Sequence, residues 1–150
     1  MRVLFLDVDG VLNRTGFHPD TSVGLRSWIE PDLARRLSEV LRVTGAVVVL
    51  ASDWRRGREL PQLREELAAA GIDASLIGVT PILAGAARWR EIEAWMLEHG
   101  VTPEVVAIVD DGYDMGALAA RFVRASPLNG LDDTVAAALI ALLAPHASSP

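Results

Sequence analysis

Apolar and polar positions alternate in blocks along this chain, and the blocks switch between two periods. RVLFLDV at 2–8, AVVVLAS at 46–52 and VVAIVDD at 105–111 are short, continuous apolar runs rich in β-branched residues. Runs of that length and make-up read as strands buried on both faces. SLIGVT at 75–80 is a weaker strand signal, and FVRAS at 122–126 is a fifth candidate. Segments of helical spacing lie between them. PDLARRLSEVLRVTG at 31–45 puts Leu33, Leu37, Val40 and Leu41 on one face, with Pro31 at its start and Gly45 past its end. ELPQLREELAAAG at 59–71, ARWREIEAWMLEHG at 87–100, the short ALAARF at 117–122 and DDTVAAALIALLA at 132–144 complete the helices. Trp89, Ile92, Trp95 and Met96 mark the apolar side of 87–100, which assigns both tryptophans to the core. A loop rich in Gly, Pro, Ser, Thr and Asp occupies 14–24.

Strands alternating with helices predict βαβ units, hence an α/β fold: a three-layer α/β/α sandwich around a parallel sheet. At 150 residues the chain can bury a real core. No linker, repeat or low-complexity stretch divides it, so a single domain is expected over 1–145, with a frayed tail HASSP at 146–150. The longest apolar run, VAAALIALLA at 135–144, is too short to span a bilayer. The N-terminus, interrupted by Asp7, does not read as a signal peptide.

Composition narrows the chemistry. There is no cysteine, which excludes disulfides and thiolate metal sites and suits a cytoplasmic location. All fourteen basic residues are arginine, so any cationic catalytic group is an arginine and Schiff-base chemistry is excluded. A net charge of −6 argues against broad, non-specific nucleic-acid binding.

In open parallel sheets ligands bind beyond the carboxyl ends of the strands. This chain places polar residues there: Asp7 and Asp9 after the first strand, Ser52 and Asp53 after the second, Asp110 and Asp111 after the fourth. Clustered carboxylates repel one another, and burial makes that worse. A hard divalent cation relieves both, and oxygen ligands favour Mg²⁺. The residues alone therefore point to a Mg²⁺ site fitted for phosphoryl chemistry, which also needs a nucleophile, a proton donor and a cation.

DVDGVLN at 7–13 resembles the first motif of the haloacid dehalogenase (HAD) superfamily of Mg²⁺-dependent aspartyl-phosphate phosphatases. VVVLASDWR at 47–55 is similar to the second motif and IVDDGYDM at 108–115 to the fourth. With GVTP at 78–81, RWREIEAWM at 88–96 and GL at 130–131, nearly the whole chain resembles the HAD domain of Swiss Army Knife RNA repair proteins. The resemblance implies a Rossmannoid, HAD-like core with minimal or no cap. It also implies roles. Asp7 would be the nucleophile and Asp9 the acid and base, with Gly10 letting the backbone approach the phosphate. Ser52 would hydrogen-bond a phosphoryl oxygen, and Arg88 or Arg90 would supply the cation of the third motif, Arg88 fitting the spacing better. Asp110 would be a Mg²⁺ ligand, with Asp111 a second ligand or an orienter, and Asp7 and Asp9 completing the set.

Blander readings stand beside these. Ser52 can be a turn residue, Asp53 a cap rather than a substrate contact, and Asp114 the N-cap of the helix near Met115. Trp54 lies near the substrate or is simply packed, and Arg55, Arg56 and Arg58 are either solvated or a cationic cluster facing phosphate. His18, His99 and His146 show no ligand spacing. The 14–30 insertion is too short for a cap domain, so the site is expected to be open and to admit a polynucleotide end, giving an RNA repair-like phosphatase. Small-metabolite or nucleotide hydrolysis is the alternative, as is a non-catalytic interaction module. Dehalogenation is disfavoured, since it needs neither Mg²⁺ nor a protonated leaving group.

Overall fold

The computed structural model describes residues 1–144; the tail at 146–150 lies outside the described residues. Five parallel strands, β1 (Val3–Leu6), β2 (Val47–Leu50), β3 (Leu76–Val79), β4 (Val106–Asp110) and β5 (Phe122–Arg124), form one sheet in the order β3-β2-β1-β4-β5. Among the described residues four α-helices surround it: α1 (Pro31–Thr44), α2 (Leu60–Ala69), α3 (Arg88–His99) and α4 (Asp133–Leu143). The expected α/β sandwich is the observed one.

Side chains alternate across a strand, so a strand buried on both faces feeds two cores. Leu4 and Leu6, Val48 and Leu50, and Ala107 and Val109 enter one core with α1, α2 and α4. Val3 and Phe5, Val49, and Val106 and Ile108 enter the other, under α3. Trp95 lies there, buried edge-on to Phe5 with ring centroids 5.6 Å apart, and half-buried Trp89 packs against the same cluster. The short segment expected to be a helix at 117–122 is a 3-10 turn over Gly116–Arg121 on this face. Its N-cap position is held by Met115 rather than by Asp114, whose Oδ1 accepts from the Gly116 N–H at 2.9 Å.

Chain direction across the sheet reverses between β1 and β4, because β1 leads outward to β2 and β3 and the chain then returns to β4. That reversal point is where such sheets open a crevice. The loop after β1 is pinned to the body: the Glu30 N–H donates to the Leu12 carbonyl at 2.9 Å and Arg14 pairs with Glu30 at 2.9 Å and Asp32 at 2.6 Å. Its secondary structure is a single 3-10 turn over Leu25–Trp28, beside α2. Among the described residues no helix is long and apolar enough to cross a membrane.

Candidate active site

Asp7 emerges from the central strand, Asp110 ends its neighbour β4, and Asp111 follows. Asp7 and Asp110 are each 6% exposed, and one oxygen from each of the three carboxylates lies within 4.8 Å of the others. Burial, then the charge of Asp110, pushes the Asp7 carboxyl up from 3.8 to about 8, against the pull of Arg88. Burial also raises Asp110, opposed by the Gly112 amide and Arg88. Two buried acids and a half-buried third are stable together only with protons or a cation among them. An all-oxygen set of this charge fits a hard divalent ion such as Mg²⁺.

Asp9 stands apart from that cluster. Its carboxylate is exposed and accepts from Asn13 Nδ2 at 3.0 Å and Trp54 Nε1 at 3.1 Å. The expected place of Asp9 among the carboxylate ligands is therefore corrected: the backbone turns at Gly10, and two donors hold the side chain toward Trp54. Gly10 has φ 79°, and a Cβ there would lie 2.4 Å from Asp111 Oδ2. Its N–H donates to Asn13 Oδ1 at 3.0 Å. What approaches Gly10 closely is thus the Asp111 side chain, and its amide is committed within the loop rather than offered to phosphate.

Ser52, 1% exposed, caps the turn Asp53–Arg55 by accepting from the Trp54 N–H at 3.2 Å. A hydroxyl that accepts one bond still has its own hydrogen to donate. Asp53 does not cap the turn with its side chain. It is exposed, and its carboxylate lies 3.6 Å from Arg56 and 3.7 Å from Arg88, an anion that repels phosphate rather than binding it. Arg88 is the cation at the site: it donates to the Ala51 carbonyl and stands 3.8 Å from Asp110 Oδ2. Arg90 points elsewhere, over the Trp89 ring at 4.1 Å and toward Glu93 at 3.5 Å.

Arg55 overturns its expected role. It is 4% exposed and paired with Glu91 at 2.9 Å, and it donates to the carbonyls of Ser52 at 2.8 Å and Thr80 at 3.0 Å. No cationic trio faces the substrate, because Arg55 ties the ends of β2 and β3 to α3. Arg58 lies over Trp54, 4.7 Å from its ring centroid. His99 stacks on Trp95 at 3.9 Å, a packing role.

Three residues escaped sequence reasoning although each lay inside a quoted motif. Asn13 fixes Asp9 and Gly10, Glu91 holds Arg55, and the Thr80 hydroxyl is a buried polar atom without a partner. Motif membership was their signal, but the partner of Glu91 is 36 residues away, and the Asn13 bonds form only because the loop turns at Gly10. Another cleft, about 580 Å³, is lined by Arg35, Arg42, Ala46 and Ser75 at the opposite edge of the sheet and touches none of the site residues.

The family described as "HAD domain in Swiss Army Knife RNA repair proteins" matches residues 3–136, which includes every site residue above. The chain belongs to that family. A search of the curated proteins finds no match. The HAD assignment points to phosphatase-type hydrolysis in general, and the cluster of Asp7, Asp110 and Asp111 is compatible with that chemistry. The match also reaches Gly130, where this HAD domain braces its first motif. Gly130 has φ 63°, a Cβ there would lie 2.8 Å from the Val11 carbonyl oxygen, and the Leu131 N–H donates to that oxygen at 2.8 Å.

Proposed function

We propose that the protein is a Mg²⁺-dependent phosphomonoesterase that works through an aspartyl-phosphate on Asp7 and acts on nucleic-acid ends in a reducing cytoplasm. The observation that carries the reading is the cluster of buried Asp7 and Asp110 with half-buried Asp111 at the sheet's reversal point, with Arg88 beside it. Mg²⁺ held by these three carboxylates would favour the charged form of Asp7 and offset the negative charge of the phosphoryl oxygens.

A carboxylate oxygen of Asp7 attacks phosphorus, and the bond from phosphorus to the leaving oxygen breaks. Asp9 supplies the proton that the leaving oxygen needs. Asp9, now a carboxylate, takes a proton from the water that attacks the aspartyl-phosphate. Inorganic phosphate departs, Asp7 returns as a carboxylate and Asp9 as an acid. Arg88 and the Ser52 hydroxyl are suited to bind phosphoryl oxygens, and Arg88 is steadied by the Ala51 carbonyl. The distance of Asp9 from the acid cluster suits this division of labour, since a proton donor works on the far side of phosphorus from the nucleophile.

A polynucleotide end is supported by the family's description and by an insertion after β1 with only one 3-10 turn. The test is phosphate release with Mg²⁺ from 3′- and 5′-phosphorylated oligonucleotides, nucleotides and sugar phosphates. Release is expected to stop on chelation and in Asp7→Asn, and to fall roughly 10²–10⁴-fold in Asp9→Asn. No release from any member of the panel would end the phosphatase reading.

A further inference from the structure

Beside Asp9 lies a second cleft of about 400 Å³, lined by Asp9, Asn13, Phe17, Trp28 and Trp54. Three half-buried aromatic rings converge there from two separate parts of the chain: the loop after β1 and the turn after β2. Its side-chain N–H donors are already engaged with the protein. Asn13 Nδ2 donates to Asp9 and to the Trp28 carbonyl, and Asn13 Oδ1 accepts from Gly10. Trp54 Nε1 donates to Asp9, and Trp28 Nε1 donates to Ser22 Oγ at 3.1 Å. The cleft therefore offers aromatic faces, with the second carboxylate oxygen of Asp9 at its edge.

Its one charged residue is Asp9, and no arginine lines it. A phosphate is repelled from such a cleft and drawn instead toward Arg88. An uncharged, planar ring is the occupant these walls favour, because every nucleobase has a π-face that stacks on an aromatic side chain. Asp9 is the shared boundary between the cleft and the reacting phosphate. Whatever oxygen Asp9 protonates, the group carrying that oxygen is next to the rings.

We propose that this cleft seats the base of the nucleoside that leaves when its phosphate is removed, whether free or at a chain end, and holds it by stacking without reading its identity. This rests on the reading in which Asp9 protonates the leaving oxygen. The two tryptophans act as the platform and Phe17 closes one side.

The experiment compares kcat/KM for glycerol phosphate, the four nucleoside 5′-phosphates, and 5′-phosphorylated oligonucleotides with and without a terminal base. Nucleoside phosphates, or oligonucleotides bearing the base, are expected to exceed glycerol phosphate and the abasic end by about 10-fold or more. Which of the two shows the preference distinguishes free nucleotide from chain end. The four bases are expected to agree within about 3-fold. Trp28→Ala and, as a variant on the loop, Phe17→Ala should each shrink the preference ratio toward one. Equal rates for ring-bearing and ring-free substrates would overturn the proposal and leave the phosphatase reading standing, and so would a ratio unmoved by both variants.

If no substrate were hydrolysed, calorimetric binding of adenosine 5′-phosphate with Mg²⁺ to the Asp7→Asn protein decides the matter. Binding weakened about 10-fold or more by Trp28→Ala supports the cleft. No binding, or binding that Trp28→Ala leaves alone, sinks it.

Discussion

At Asp7 the chain accepts a carboxyl that water would ionise and burial does not. The unfolded chain gives up that proton near 3.8, whereas burial and Asp110 keep it on the folded protein up to about 8. The folded state thus binds more protons than the unfolded one between those values, so stability falls as pH rises through the window. The contribution is fully present below 3.8 and gone above about 8. Asp110, raised in the same direction, adds to the slope. Asp7→Asn removes the ionisable group while keeping its shape. In the metal-free state the melting temperature of the natural protein is expected to drop more steeply from pH 5 to pH 9 than that of Asp7→Asn. The variant should be the more stable of the two at pH 9. Parallel curves would mean that Asp7 holds no such proton.

The site is delivered by elements whose order and spacing were written in hydrophobic pattern, and Arg55 shows what that pattern leaves out. Strands entering two cores read as continuous apolar runs, and a helix with one buried stripe shows its period, so the sheet and α1 were legible. Placing Asp7, Ser52 and Asp110 at strand ends followed from the same runs. Arg55 instead sits in a run of charge, SDWRRGRE, where local sequence cannot distinguish a buried arginine from a solvated one. Its partner Glu91 is on α3, a helix that packs beside Arg55 only once the sheet has formed. Asn13 was missed for a related reason, since it ties the first motif to the Trp28 carbonyl fifteen residues on, while the short helix expected at 117–122 formed as a 3-10 turn at 116–121. The Arg55–Glu91 pair has a functional consequence, because Glu91 lies one turn along α3 from Arg88. Arg55→Ala leaves Glu91 buried without its cation, a change that costs roughly 3–5 kcal/mol. Denaturant unfolding should register that loss. Arg88 should also move from the site, lowering turnover more than stability loss alone explains. The double variant Arg55→Met with Glu91→Leu should recover much of the stability, since neither charge is then stranded.

For the molecule as a whole, the acid cluster makes the metal-free fold less stable than a neutral version of the same sheet. Like charges drawn together at the reversal point oppose folding, while the two cores supply the stability that tolerates them. A cation bound only by the folded state reverses the balance. At a Mg²⁺ concentration of about 100 times its dissociation constant, the stabilisation is about 2.7 kcal/mol. For a chain of this size that corresponds to a rise of roughly 5–10 °C in melting temperature. Asp110→Asn should therefore have opposite effects in two buffers. Without metal at pH 8 it relieves repulsion, and the variant should melt at or above the natural protein. With saturating Mg²⁺ the natural protein should gain the full rise and the variant, lacking one of the proposed ligands, should gain little, so their order should invert. A Mg²⁺ response that was the same in both proteins would place the ion away from Asp110. The inversion separates a metal site from an acidic patch, because screening by Mg²⁺ would act on exposed acids such as Asp53 in both proteins alike.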